Sequence, residues 1–158
     1  MKNLQLILIF VISTFLCLYT FPGFAATAKY VPEHVFFAIE HKYCPSCDLS
    51  GVILQNPNFE GADLHGTNFR GAQLHQANFD RAILNFGDFR NAQLNGATFS
   101  RASLVGANLS GANLNHSNLS GANLQGAKNF RPNRTMTFCR TVLPNKRIIN
   151  NDCPPGMR

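Results

Sequence analysis

The chain has 158 residues and a formal net charge of +6, from 14 Lys and Arg against 8 Asp and Glu. The excess is local: residues 48–127 carry four Arg against five acidic side chains, or −1, whereas residues 128–158 carry seven basic side chains against Asp152, or +6. A basic face along the whole chain is excluded, and no aromatic stacking motif accompanies the tail charges, so nucleic acid is not an expected partner.

Met1-Lys2 gives a positive start, Leu4 to Leu18 is almost wholly apolar, and Gly23-Phe24-Ala25 or Ala26-Thr27-Ala28 offers small residues for cleavage. Residues 1–28 therefore read as a secretory signal peptide, which predicts a periplasmic or secreted protein, or a lumenal one in a photosynthetic organism. An uncleaved membrane anchor is the alternative, but the apolar run is short for a span. Leu16, where a small residue would be wanted, argues against lipidation of Cys17. In residues 29–47, Pro32 can open a short helix with Glu33 in its first turn and Val35, Phe36 and Ile39 on one side.

From Leu49 to Leu124 a Leu or Phe falls on every fifth residue, sixteen times in succession. Two residues before each centre stands something small, Ala in ten cases, and nine of the sixteen repeats end in Gly. A helix turns about 100° per residue, so a five-residue spacing would scatter these centres around the cylinder. A straight strand would send them alternately to opposite faces. The chain must instead turn once per repeat, keeping the centre and its small partner inside and the other positions outside, which predicts a solenoid with turn-forming glycines.

Gly61-Ala62-Asp63-Leu64-His65, Gly106-Ala107-Asn108-Leu109-Ser110 and Gly121-Ala122-Asn123-Leu124-Gln125 resemble the pentapeptide-repeat family. The resemblance implies an all-β solenoid over residues 48–127: a right-handed quadrilateral β-helix of about four coils, with four repeats per coil. Residues twenty apart then stack about 4.8 Å apart. One wall holds Leu49, Phe69, Phe89 and Leu109, the wall opposite holds Phe59, Phe79, Phe99 and Leu119, and only Leu stands at the centres of the remaining two. Pro32-Glu33-His34 through Gly51 resembles the capped start of exported members, so the helix is expected to cover the open end of the core. An exposed helix that recruits a partner is the alternative.

Extended backwards, the register puts Cys44 at a centre and Cys47 at the next small position, bracketing one turn. Turn ends lie within about 7 Å, inside disulfide reach, whereas pairing with Cys139 or Cys153 would cross four coils, on the order of 19 Å. Of three connectivities, Cys44 with Cys47 and Cys139 with Cys153 is favoured. In an oxidising compartment disulfides are the default, although Cys-x-x-Cys also serves redox catalysts and zinc sites. Redox pairs sit at a helix start beside a strand, and zinc would need a second pair nearby.

After Ala127 the register breaks, since Asn129 takes the next central position and Phe130 comes one residue late, so the coils are expected to end there. In residues 128–158, Thr135 to Leu143 and Arg147 to Asn150, separated by Pro144-Asn145-Lys146, predict a small hairpin clamped by Cys139 and Cys153, forming a C-terminal cap. Arg131, Arg134, Lys146 and Arg147 make this tail a candidate contact for anionic lipid, polysaccharide or an acidic protein.

Outside, Asn, Gln, Ser and Thr dominate, but the wall centred on Leu64, Leu84, Leu104 and Leu124 is expected to expose Ile83, Phe86 and Val105 beside His65, a candidate docking cluster. Phe86 folded over a corner onto the adjoining coil is the competing arrangement. His75 and His116 fall two coils apart on another wall, too distant for joint metal ligation. The chain shows no nucleophile with a placed base, no paired carboxylates in distinct environments and no phosphate-binding loop. Some members of the resembled family are cytoplasmic DNA mimics that protect topoisomerases, but the body here lacks their acidic surface. The expected function is a non-catalytic exported scaffold or protein-interaction module, with no cofactor and no membrane span after cleavage. Its partner is a protein or an envelope component. The alternatives are a thiol-disulfide redox protein using Cys44 and Cys47, and an envelope-associated protein held by the basic tail.

Overall fold

A computed structural model describes residues 32–154, so the leader lies outside the described residues. Parallel bridges join residues twenty apart from Tyr43↔Asp63 through Asn108↔Lys128, each wall contributing one bridge per coil. On one wall Leu64 N–H donates to Ile83 O at 2.8 Å, and Ile83 N–H donates back to Ala62 O at 2.9 Å. The same exchange repeats on every side, so backbone groups are satisfied between coils rather than within long strands.

The five-residue period comes from the corners. At fifteen of the sixteen centres the carbonyl accepts from the N–H three residues on, as in Ala62 N–H to Phe59 O at 3.0 Å; the exception is Leu54, followed by Pro57, which has no N–H. The residue two past each of the sixteen centres has positive φ. A turn closed this way with positive φ at its third residue is a type II turn, which favours Gly there. Nine of these residues are Gly, and the other seven are Asn56, Gln76, Arg81, Phe86, Asn91, Arg101 and His116.

The corner directs each centre and the residue two before it inward. Fifteen of the sixteen centres are buried and Leu54, in the first coil, is half-buried. The two Phe columns stack, with Phe79 lying 5.0 Å from Phe59 and 5.1 Å from Phe99 and nearly parallel to both. Across the core they meet edge to face, Phe69 against Phe79 at 5.7 Å. Both arrangements suit the aromatic quadrupole.

At the start, α1 (Pro32–Glu40) places Ala38 inside, with Val35 and Ile39 packed on the core, while Phe36 and Phe37 remain exposed. His34 Nδ1 accepts from Asp48 N–H at 3.1 Å, tying the helix to the first coil. The ladder already includes Tyr43, five residues before the expected start of the coils.

At the other end the expectation that coiling stops at Ala127 is corrected. Thr137 bridges Asn118 and Val142 bridges Asn123, now nineteen residues apart. In the shortened register Phe138 takes a centre, and Met136 and Thr141 take the small inward positions, all three buried. Arg140 falls on the corner with φ 53°. The break at Asn129 is a deletion of one residue, after which the same turning rule resumes. Strand β1 (Thr141–Val142) is the last rung of one wall and pairs antiparallel with β2 (Ile148–Ile149). Cys139 is bonded to Cys153, with Cα atoms 4.7 Å apart, and Phe138 and Asp152 exchange two hydrogen bonds of 2.9 Å beside the link.

Two stability outcomes are expected. Phe79→Ala, which empties the middle of a stacked column, should cost about 3–5 kcal/mol in chemical denaturation. Breaking the Cys139–Cys153 link by a double Ala substitution should cost about 3 kcal/mol, more than breaking the short Cys44–Cys47 loop at about 2 kcal/mol.

Candidate functional site

Ile83 and Phe86 are exposed, at 42% and 63% of their surface, on the wall centred on Leu84. Val105, expected beside them in the open, is half-buried, and its N–H is held by Asn85 Oδ1 at 3.1 Å. The Phe86 ring packs edge-on to His65 of the preceding coil at 5.5 Å. It also covers Gly106 of the following coil so closely that a Cβ there would come within 2.7 Å of the ring. Phe86 thus lies along the corner across three coils and keeps most of its surface in water. Its φ is 59°, a conformation that bulky side chains rarely adopt.

A second surface was not legible as a cluster in the sequence. Arg81, Arg101 and Arg140 rise along one corner, beside Glu60 and Asp80, and line a groove of about 390 Å³. Arg81 Nη1 pairs with Glu60 at 3.3 Å. Arg101 lays its stem over Gly121, which has no side chain to obstruct it. The twenty-residue spacing of Arg81 and Arg101 was visible in advance, but Arg140 enters only through the shortened register.

The basic residues of the tail do not form one patch with this column. Arg131 and Arg134 lie on the loop that leaves the first wall, lining separate concavities, and Lys146 and Arg147 lie at the exposed turn between β1 and β2. Lys146 has φ 67° and donates its N–H to Leu143 O.

Cys44 and Cys47 are bonded, with Cα atoms 5.5 Å apart, across a corner closed by Cys47 N–H to Cys44 O at 3.3 Å. Cys44 is 2% exposed and Cys47 half-buried. An attacking thiol must reach the sulfur it reduces, and the packing leaves Cys47 as the accessible side of this bond. Among the described residues no group of His, Cys, Asp or Glu is arranged to hold a metal ion. His75 Nδ1 instead contacts Asn95 Oδ1 of the next coil.

Two outward carboxylates are held below their ordinary value. Hydrogen bonds from Ser50 lower Asp48, and the Arg90 guanidinium, whose Nη2 lies 2.5 Å from Asp88, lowers Asp88. These groups brace the ladder's outer surface and are not placed as an acid and base pair.

Residues 52–129 match the profile of the pentapeptide repeat region. Among solved structures, HetL of the cyanobacterium Nostoc sp. strain PCC 7120, a pentapeptide-repeat protein involved in heterocyst differentiation regulation, is 30% identical with a TM-score of 0.50. That match covers 68% of this chain and 51% of HetL, so the chain spans about half of HetL's length. The pentapeptide-repeat protein alr5209 from Nostoc PCC 7120 is 27% identical over 65% of this chain and 88% of its own, with a TM-score of 0.39. QnrB1, a plasmid-mediated fluoroquinolone resistance protein, is 27% identical over 52% of this chain and 48% of its own, with a TM-score of 0.37. Among curated proteins, none matches the chain.

Asp88 should titrate below the ordinary value of 3.8 in an NMR pH series. Because its folded pKa is depressed, its contribution to stability is complete above 3.8 and is lost as pH falls through the lower folded value. Asp88→Asn should therefore remove that part of the acid sensitivity by giving up, at neutral pH, the same small contribution that the original loses on acidification.

Proposed function

Because this chain belongs to the pentapeptide-repeat family, we propose that it is a non-catalytic, exported interaction module that presents the corner around Phe86 to a protein partner. The observation that carries this reading is Phe86 itself. A left-handed backbone costs an L side chain roughly 1–2 kcal/mol, and Gly occupies nine of the sixteen equivalent corners without that cost. Phe86 nevertheless keeps 63% of its surface in water, so its own packing recovers only part of the strain. Strain held on an exposed aromatic is the signature of a contact made by something else. Ile83 lies exposed on the same wall, laddered between the polar Asp63 and Ser103, with Asn85 beside it.

The resemblance to HetL, a protein involved in regulating differentiation, supports a role exercised through contact rather than turnover. Export rests on the leader reading, and two bonded cysteine pairs are compatible with an oxidising compartment. No helix among the described residues is long and apolar enough to cross a membrane. In this reading α1 closes the first coil, and β2 with the Cys139–Cys153 link closes the last.

Phe86→Gly should leave stability within about 1 kcal/mol of the original, since relieved strain offsets lost packing. In-cell crosslinking from a photoreactive group at Ile83 should yield a discrete adduct that Phe86→Gly abolishes. An adduct indifferent to that substitution sinks the assignment of this corner. Mass spectrometry of the protein recovered from the expressing cells should find the amino terminus directly after Ala25 or Ala28, whereas an intact leader would remove the export claim.

A further inference from the structure

The last coil is missing one wall. Above Ala107–Leu109, Lys128 donates its N–H to Ala107 O and accepts from Leu109 N–H. Thr137 makes the same pair of bonds with Ser117 and Leu119, and Val142 with Ala122 and Leu124. On the remaining wall no residue does this. Ala112 O has no donor, and the N–H groups of Gly111 and Leu114 have no acceptor, among the described residues.

The cause lies in the shortened register. From Asn108 to Asn118 the chain spends ten residues crossing this wall, whereas from Lys128 to Thr137 it spends nine and leaves the wall altogether. Asn133, which would stand over Asn113, instead donates from its side chain to Asn115 Oδ1 at 2.8 Å. A concavity of about 550 Å³ remains over the gap, floored by Gly111 to Leu114 and bordered by Phe130, Arg131 and Met136. Leu114 is 4% exposed, so its free N–H belongs to a buried residue, where an unpaired donor is costly.

We infer that this gap receives an extended, acidic peptide segment of a partner protein, which supplies the missing rung by parallel pairing. The unpaired groups specify the ligand. One ligand residue must donate to Ala112 O and accept from Leu114 N–H, as Asn113 does one coil earlier with Ala92 O and Leu94 N–H, and a preceding carbonyl must meet Gly111 N–H. A main chain offers that alternation and an inorganic anion does not. The acidic preference follows from Arg131, the one charged side chain among the residues lining the gap. This deepens the interaction-module reading and rests on it only in taking a protein as the partner. Its test reads residues on a different wall from Phe86, so either assignment can fail alone.

The test is amide NMR on the mature protein. In the free protein the Leu114 amide should exchange with solvent faster than that of Leu94, which is bonded to Asn113 O at 2.8 Å. The blocked peptide acetyl-Val-Glu-Val-Asp-Val-amide should shift Gly111 and Leu114 saturably and slow Leu114 exchange. A version with Lys in place of both acids should bind several-fold more weakly, and Arg131→Ala should narrow that difference by about two- to fivefold. Equal shifts from sodium acetate would reduce the gap to an anion site and overturn the proposal. Shifts confined to Lys146 and Arg147 would overturn it as surface charge, and concentration-dependent shifts at Leu114 without peptide would assign the gap to a second copy of the chain.

Discussion

One backbone corner governs the molecule. Every fifth residue enters the left-handed region while, at all corners but the one before Pro57, the preceding centre's carbonyl is closed by the N–H three residues on, and this turns the chain inward at fixed intervals. Four such corners return the backbone to its starting side after twenty residues, where the coil-to-coil bonds take over. The stacked Phe rings follow from that return, because residues twenty apart can only lie one above another. The corner also explains why the outer surface is free to vary. It needs a permissive residue at one position and small or bulky apolar residues at two more, and leaves the rest unspecified.

How far the fold could be read from sequence follows this division. The centres and the corner bracketed by Cys44 and Cys47 were legible because the period decides them, and the facing Phe columns because the family resemblance supplied four repeats per coil. The C-terminal end was not. Asn129 looks like a terminator when the count is kept at five, and only the ladder reveals that Phe138 and Thr141 resume the pattern one residue early. The Arg81, Arg101 and Arg140 column was hidden for the same reason. Val105 was misplaced because burial of an outward side chain depends on how the next coil's residues lie over it, which no spacing encodes.

The walls and the ends therefore offer different kinds of recognition. Along the walls the coil-to-coil donors and acceptors are already paired, so a partner meets mainly side chains, and Phe86 is the one corner among the sixteen where a large apolar side chain displaces the residue the turn prefers. At the end, the one-residue deletion does what no side-chain substitution can, since it withdraws a strand from one wall and leaves main-chain donors and an acceptor behind. Edge closure is ordinarily a protection against unwanted pairing. Here β2 covers the rung formed by β1, and three of four walls are completed, so protection is the rule at this end as well. A single unclosed wall inside an otherwise closed terminus, bordered by Phe130, Arg131 and Met136, limits pairing to a short segment of suitable charge and leaves no long edge on which copies could stack indefinitely.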